Sequence, residues 1–475
     1  MRSSAIVFLV LATNVVGMVT CGPTMADDHP NVILIMADDL GWGDPSFNGG
    51  WIETPGLDSL AAEGIRFTRF YSASPVCSPT RASCLSGRHP YRLGIRNANN
   101  GHLPTDEVLI PELLQEIGYR TGHFGKWHLG TLTTQRKDSN RGRIGNNKDY
   151  SPPWHHGFDT CFSTEAKVPT FHPMRRPENN LPLPAHFNDP QFYGTHYWTP
   201  PESRSARANA KEGVPVSVTD NLAGDDSKII MDRAIPFIEE SVQAEQPFFA
   251  VIWFHTPHKP VVDPQQNAPV DSKLAYQAAV QQMDQQVTRL DQELDRLGAK
   301  DNTMIWFCSD NGPERGVGQA GPLRGRKRSL YEGGIRVPAF MIWPAKIQPS
   351  KTTDFPTSTS DYLPTIVDLV GLNRQIPSVL DGISIRKILE GETVQRHQPI
   401  GFQSGKQVAW ITPNYKIVST DAKQSFALYN LIDDPQESSD LATTEPQRLE
   451  ALKKDLNQWL KAVKQDAPHR QPPPN

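Results

Sequence analysis

Beyond Val19 the sequence contains no apolar run long enough to cross a bilayer, so no membrane-spanning segment is expected in the mature chain. It also lacks an excess of either charge, with 48 Lys and Arg against 52 Asp and Glu. That balance gives no sign of a nucleic-acid binder or a polybasic membrane binder, so anion recognition has to come from local clusters. Internal repeats are absent. Cysteine is scarce, with 5 in 475 residues.

A chain of 475 residues at 37% hydrophobic content can bury the core of one large α/β domain and a smaller one. The N-terminus joins Arg2 to an apolar run from Ala5 to Val19 and then to small residues ahead of Asp27. This is the pattern of a secretory signal peptide over 1–26, cleaved after Ala26, and it predicts a secreted or periplasmic protein. A lipid anchor on Cys21 is the alternative, although "VTC" is a poor lipobox. Cys77, Cys84, Cys161 and Cys308 then remain, an even number in a compartment that permits disulfides. If "SPTRASCLSG" is helical, Cys77 and Cys84 lie roughly 10 Å apart along it. That exceeds the roughly 7 Å Cα reach of a bridge, so these two are not expected to pair. The pairing of Cys84, Cys161 and Cys308 stays open.

One pattern recurs along the chain. The apolar run "NVILIMA" stops at Asp38 and Asp39, "FFAVIWF" stops at His255 and His258, and "TMIWFCS" stops at Asp310 and Asn311. A shorter run, "RTGHFGKWH", follows the helical "IPELLQEIGY" and carries Lys126 and His128. Continuous apolar strands between amphipathic helices predict an α/β fold with a large, mostly parallel sheet covered on both faces by helices. Ligands bind such sheets outside the carboxyl ends of the strands, so these distant polar residues should converge. Taken singly, Asp-Asp-Leu-Gly or Asp-Asn-Gly is most often a solvated turn; several at equivalent strand ends indicate a site.

The large domain is expected over 27–385. Within it, 130–220 is a Pro-, Asn- and aromatic-rich stretch whose length suggests a substrate-side insertion. There Trp154, Phe171, Tyr197 and Trp198 either stack on sugar rings or pack the loop. Residues 386–475 read as a smaller subdomain of short antiparallel strands, a helix and a Pro-rich tail.

Asp38, Asp39, Asp310 and Asn311 offer only oxygen, which selects a hard cation, Ca²⁺ or Mg²⁺, over zinc. Arg81, Lys126, His128, His258 and Lys327 supply positive charge. Lys126 and His128 alternate, so a strand would set them on one face; Arg81 lies one helical turn from Cys77. A metal beside so many cationic groups needs an anionic ligand. Cys77 should open a helix whose N–H groups favour an anion, with Pro79 tolerated in the first turn. An ordinary thiolate nucleophile fits poorly, because hard metals do not prefer sulfur.

The stretch "CSPTRASCLSGR" resembles the signature of the formylglycine-dependent sulfatases, within the alkaline phosphatase superfamily. The resemblance extends in order through "NVILIMADDLGWGD", "GYRTGHFGKWHLG", "FHTPHKP", "FCSDNG", "LRGRKRSLYEGGIRVP" and "LYNLIDDPQESSDLA". It implies an alkaline-phosphatase-like fold and an enzyme, arylsulfatase-like, that hydrolyses sulfate esters of carbohydrates. It further implies that Cys77 is converted to 3-oxoalanine (formylglycine) by a formylglycine-generating enzyme that reads Pro79 and Arg81. One hydroxyl of the hydrated aldehyde would attack sulfur and the other would expel sulfate, which a thiol cannot do.

By the same resemblance, Asp38, Asp39, Asp310, Asn311 and residue 77 would bind Ca²⁺, Arg81 and His128 would hold and activate the hydrate, and Lys126 and Lys327 would neutralise the sulfate oxygens. His258 would protonate the leaving alcohol; His255 is the weaker candidate. Ser86 replaces the commoner threonine, and Cys308 replaces Ser or Thr as a packing residue. Arg326 and Arg328 flank Lys327 where such sulfatases often carry glycine: either a solvated basic loop or readers of a second anionic group on the glycan. The rival functions are a phosphonate monoester or phosphodiester hydrolase on the same fold, and a glycan-binding protein without catalysis.

Overall fold

The apolar runs pair side by side in the computed structural model, which describes residues 29–177, 192–201, 214–265, 267–372, 374, 376 and 379–467. The expected signal peptide, Cys21 and the end of the Pro-rich tail lie outside the described residues. Asn31–Ala37 is central, parallel to Thr303–Ser309 on one side and to Phe248–Trp253 on the other. Arg120–Lys126 and then Thr160–Thr164 continue the parallel set.

Towards its margins this sheet, ten-stranded among the described residues, takes on antiparallel pairs. Ala339–Ile342 runs against Thr303–Ser309 and against Ile65–Phe67, beside which lies Lys351–Thr353. At the far edge sit Trp198–Thr199 and Val216–Ser217. The expected mostly parallel sheet is thus a mixed sheet with a parallel centre.

The central strands are buried on both faces, which is why they read as unbroken apolar runs. Ile33, Ile35, Ile252 and Phe307 point into one core, beneath the helices Asp226–Gln243 and Lys273–Arg296. Leu34, Met36, Trp253 and Trp306 point into the other, beneath Cys77–Ser86, Ile110–Glu116 and Tyr362–Leu369. Cutting an aromatic such as Trp306, which meets Tyr362 at a centroid distance of 4.8 Å, back to alanine costs about 3–5 kcal/mol in a core of this kind.

The C-terminal strands Ile400–Ser404, Gln407–Ile411, Tyr415–Ser419 and Ala427–Asn430 form an antiparallel meander. One face packs on Tyr71, Leu330 and Ile335 of the main body, and the other contributes Trp410, Ile417 and Leu428 to a core with Leu456 of the helix Pro446–Asp466. A buried ion triad reinforces the first contact: Lys416 Nζ lies 2.9 Å from Glu332 and 2.8 Å from Glu437.

Two open alternatives are decided. Trp154, Tyr197 and Trp198 are buried, so they pack the insertion and present no face to a sugar. Tyr197 stacks on Phe162 at 4.0 Å and donates to Asp226, while the Trp198 indole donates to Asp138. Only Phe171 of the four is half-buried. The cysteines offer no disulfide: Cys77, Cys84, Cys161 and Cys308 are each free and buried.

Candidate active site

The register of the central strands brings the polar clusters together. Ala37 pairs with Ser309, so the residues that follow, Asp38-Asp39 and Asp310-Asn311, emerge side by side at the carboxyl edge of the sheet. The turn after Asn311 needs a glycine, because a Cβ on Gly312 would lie 2.0 Å from the Gly333 carbonyl oxygen. That close approach lets the segment carrying Lys327 fold over the site; its neighbour Arg328 donates its backbone N–H to the Pro75 carbonyl at 2.9 Å. Cys77 opens the helix Cys77–Ser86, as expected, with Val76 as the extended residue before it.

Asp38 and Asp39 take different partners. Asp38 accepts from the Lys126 ammonium, and its Oδ1 lies 3.4 Å from Cys77 Sγ. Asp39 adopts a left-handed backbone (φ 70°), which frees its carboxylate from the strict alternation of a strand. That carboxylate accepts from Lys327 Nζ at 2.6 Å and Asn311 Nδ2 at 2.7 Å, with His258 Nε2 3.5 Å away. Burial alone would raise the Asp39 pKa, but Lys327, His258 and Lys126 outweigh it and hold the carboxyl below its usual range. Lys327 is held protonated by the reciprocal pull of Asp39 against burial.

Arg81 is fully buried. It directs Nε (3.2 Å) and Nη2 (2.8 Å) onto one oxygen of Asp310 and Nη1 (2.9 Å) onto the Lys126 carbonyl. Its guanidinium is therefore committed to building the site, and Arg81 is not among the residues lining the cavity. Burial, and next the Asp310 charge, push the Cys77 thiol well above its ordinary pKa, so it is held neutral.

His128 departs from the strand expectation. The strand Arg120–Lys126 ends at Lys126, and the neighbouring Thr160–Thr164 has no further ladder partner to offer beyond Thr164. His128 takes φ 58° and turns into the cavity, where both ring nitrogens are buried without a hydrogen-bond partner. Burial first, then Lys126 and Arg141, keep it neutral. His258 donates from Nδ1 to the Lys259 carbonyl at 2.6 Å, since a carbonyl only accepts; this leaves Nε2 on the Asp39 side. His255 is different, held by Asp226 and Thr164, both at 2.7 Å, in a closed network away from the cavity.

The cavity has a volume of about 360 Å³ and is lined by Cys77, Lys126, His128, His258 and Lys327, with Arg328 at its rim. Arg326 is exposed and lines no part of it. Lys167 and Asn140 also line it; nothing marks them in the sequence, because both stand in irregular loops without a periodic context.

The residues fit a divalent cation. Asp38, Asp39, Cys77 and His258 bring one donor atom each within 4.8 Å of one another. Asn311 Oδ1 is buried with no hydrogen-bond partner, an orphaned acceptor beside these carboxylates. Hard oxygen donors predominate, as suits Ca²⁺ or Mg²⁺.

Comparison with known proteins agrees with this geometry. Residues 30–372 match the family described as Sulfatase, and residues 325–466 match the family described as N-sulphoglucosamine sulphohydrolase, C-terminal. The chain is 32% identical over 425 residues to N-acetylgalactosamine-6-sulfatase of Mus musculus, covering 85% of this chain and 74% of that one. It is 30% identical over 489 residues to Arylsulfatase G of Rattus norvegicus, covering 92% and 87% respectively. Among solved structures, Ps i-CgsB in complex with k-i-k-neocarrahexaose superposes with a TM-score of 0.73 at 27% identity, covering 91% of this chain and 92% of that one. With the Sulfatase family matched over residues 30–372 and a relative 32% identical across 85% of this chain, the chain belongs to the sulfatase family.

Proposed function

We propose that this protein is an exported sulfuric ester hydrolase that releases inorganic sulfate from a sulfated carbohydrate, using formylglycine at position 77 and Ca²⁺. The observation that carries this reading is the pairing of Asp38 with Lys126 and of Asp39 with Lys327 in the cavity that holds Cys77. Anionic and cationic groups at such density suit a bound divalent cation facing a bound dianion. The buried thiol is held neutral, which argues against Cys77 acting unmodified as a thiolate nucleophile.

Asp38, Asp39, Asp310, Asn311 and residue 77 would hold the cation, which supplies positive charge and acidifies a hydroxyl beside it. Formylglycine, if formed at position 77, would supply in its hydrate two hydroxyl groups on one carbon, one for attack on sulfur and one for expelling sulfate. Lys126 and Lys327 present ammonium groups preorganised for the sulfate oxygens as their charge shifts. His128 faces the cavity with unengaged nitrogens and would hold and activate the nucleophile's hydrate, while Arg81 positions Asp310. His258, with Nδ1–H tied to the Lys259 carbonyl, presents Nε2 to the cavity; it would pass a proton to the departing alcohol from the imidazolium form, which the negative charge of a bound sulfate group favours. The names of the relatives, and the carbohydrate held by Ps i-CgsB, support a sugar sulfate as substrate.

The test is the mass of the peptide containing residue 77, from protein made in its native host, together with turnover of matched sulfate and phosphate esters. An aldehyde and preferential sulfate release are expected. An unmodified thiol, or preference for the phosphorus ester, overturns the reading.

A further inference from the structure

A second and larger cleft, about 1060 Å³, opens next to the catalytic cavity, and the two share Val76 and Arg328 in their walls. Val76 directly precedes Cys77, so the cleft begins at the rim of the reaction centre. Its other walls come from the segment after Tyr91, the turns of the C-terminal meander and the end of the helix Pro446–Asp466.

The charge of this cleft is one-sided. Arg96, Arg328, Lys406, Lys423 and Lys464 line it, and no Asp or Glu does, in a protein whose overall charge is −4. Arg328 is paired with Glu314 at 2.9 Å. Arg96, Lys406, Lys423 and Lys464 are exposed and make no ion pair among the described residues. Cations scattered over a near-neutral surface normally stand among acids; four unpaired ones around a single concavity make a field that attracts polyanions.

The scaffold holds these groups in place. Gly405 (φ 57°) and Ala422 and Lys423 (φ 64° and 69°) form two tight turns, and the turns are joined by Ala422 N–H donating to the Lys406 carbonyl at 3.1 Å. The Tyr91 hydroxyl accepts from Gly405 N–H at 2.9 Å, and Gln407 Nε2 donates to the Arg328 carbonyl at 2.7 Å. The meander is thus fastened to the loop that carries Lys327, and the cations are presented by turns with defined backbone bonds.

We infer that this cleft binds the anionic sugar units flanking the scissile one, so that the substrate is an oligosaccharide with at least one further sulfate or carboxylate beyond the ester being cleaved. The inference rests on Cys77 being the reaction centre, which sets the end of the cleft at which the scissile sugar sits. Arg328, at the junction of the two cavities, meets the first flanking anion, and Lys406, Lys423 and Lys464 meet those beyond it. Arg326, outside both cavities, takes no part.

The experiment compares wild type with the K406E/K423E/K464E variant by calorimetric binding of hexasaccharides and disaccharides from chondroitin sulfate, heparin and ι-carrageenan. Turnover of 4-nitrophenyl sulfate is followed in parallel. At least one hexasaccharide should bind wild type about tenfold or more tightly than its disaccharide, with an affinity that falls as salt is added. The variant should lose that advantage while its kcat/KM for 4-nitrophenyl sulfate changes less than about twofold, as expected for charges outside the reacting centre. If no hexasaccharide in the panel outbinds its disaccharide, or if the variant binds as tightly as wild type, the inference is overturned. Retained hexasaccharide binding in a wild-type protein that hydrolyses no sulfate ester would instead sink the catalytic reading and leave the cleft standing.

Discussion

Lys327 Nζ lies 2.6 Å from Asp39 Oδ2, joining residues 288 positions apart in the chain. The same carboxylate serves the proposed cation and the same ammonium serves the proposed sulfate, so the two sites can be separated by substitution. Lys327→Met should lower kcat/KM for an aryl sulfate by about 10²–10³-fold, the effect of removing one preorganised donor. Calcium binding, read as the thermal shift on adding Ca²⁺, should persist in this variant. Loss of both together would make Lys327 a structural support of the metal site.

Calcium itself should stabilise the fold. Binding to the native state alone adds about 2.7 kcal/mol when the free ion is at 100 times its Kd. The melting temperature should therefore climb with Ca²⁺ and fall with a chelator, and turnover should follow it. Asp39→Asn, which asparagine tolerates at a left-handed backbone, should abolish the shift. A melting temperature indifferent to Ca²⁺ in wild type would contradict the metal assignment.

Asp225 caps the helix Asp226–Gln243, accepting from Lys228 N–H at 2.7 Å. Burial pushes its pKa up from 3.8 to about 7. A carboxyl raised on folding favours the native state at low pH and loses that contribution as pH rises through the folded value. Asp225→Asn keeps a capping acceptor and does not titrate. Its stability relative to wild type should rise between about pH 4 and pH 7 and level off above, as chemical denaturation at a series of pH values would reveal. A difference independent of pH would rule out the shift.

Lys416 sits between Glu332 and Glu437, all three fully buried. Lys416→Met leaves Glu437 without its cation and Glu332 with Arg336 at 3.6 Å, and should cost about 3–5 kcal/mol. The triple change that also neutralises both, E332Q/K416M/E437Q, should recover part of that loss. Urea denaturation measures both, and equal losses in the two variants would mean that packing, and not charge, is what Lys416 provides.

Much of the site was legible because each chemical cluster directly follows an apolar run. A buried parallel strand must end where its polar residues begin, so Asp38, His255 and Asp310 announce a sheet edge without any knowledge of register. The helix at Cys77 was equally visible from its Pro79; the structure adds that Gly87 closes it at φ 68°. His128 was misplaced on a strand because alternation alone does not reveal where the neighbouring strand runs out. Trp154, Tyr197 and Trp198 resembled sugar platforms because irregular sequence carries no periodicity from which to tell a packed aromatic from an open one.

The basic cleft was invisible for a related reason. Arg96, Lys406, Lys423 and Lys464 stand in separate turns and a helix end, each an ordinary solvated cation until the meander is seated against the main body.

By itself the sequence determined the types of chemistry available: oxygen donors for a hard cation, a signature cysteine, and cations for an oxyanion. Side-chain type and the end of an apolar run are local properties, and the sequence carries them in full. Tertiary structure alone decided that Asp38 takes Lys126 while Asp39 takes Lys327. Adjacent residues diverge this way only because strand register, a left-handed turn at Asp39 and a loop returning from Pro313 to Arg328 together set their directions. Each of those depends on contacts between segments hundreds of residues apart, which no local pattern encodes.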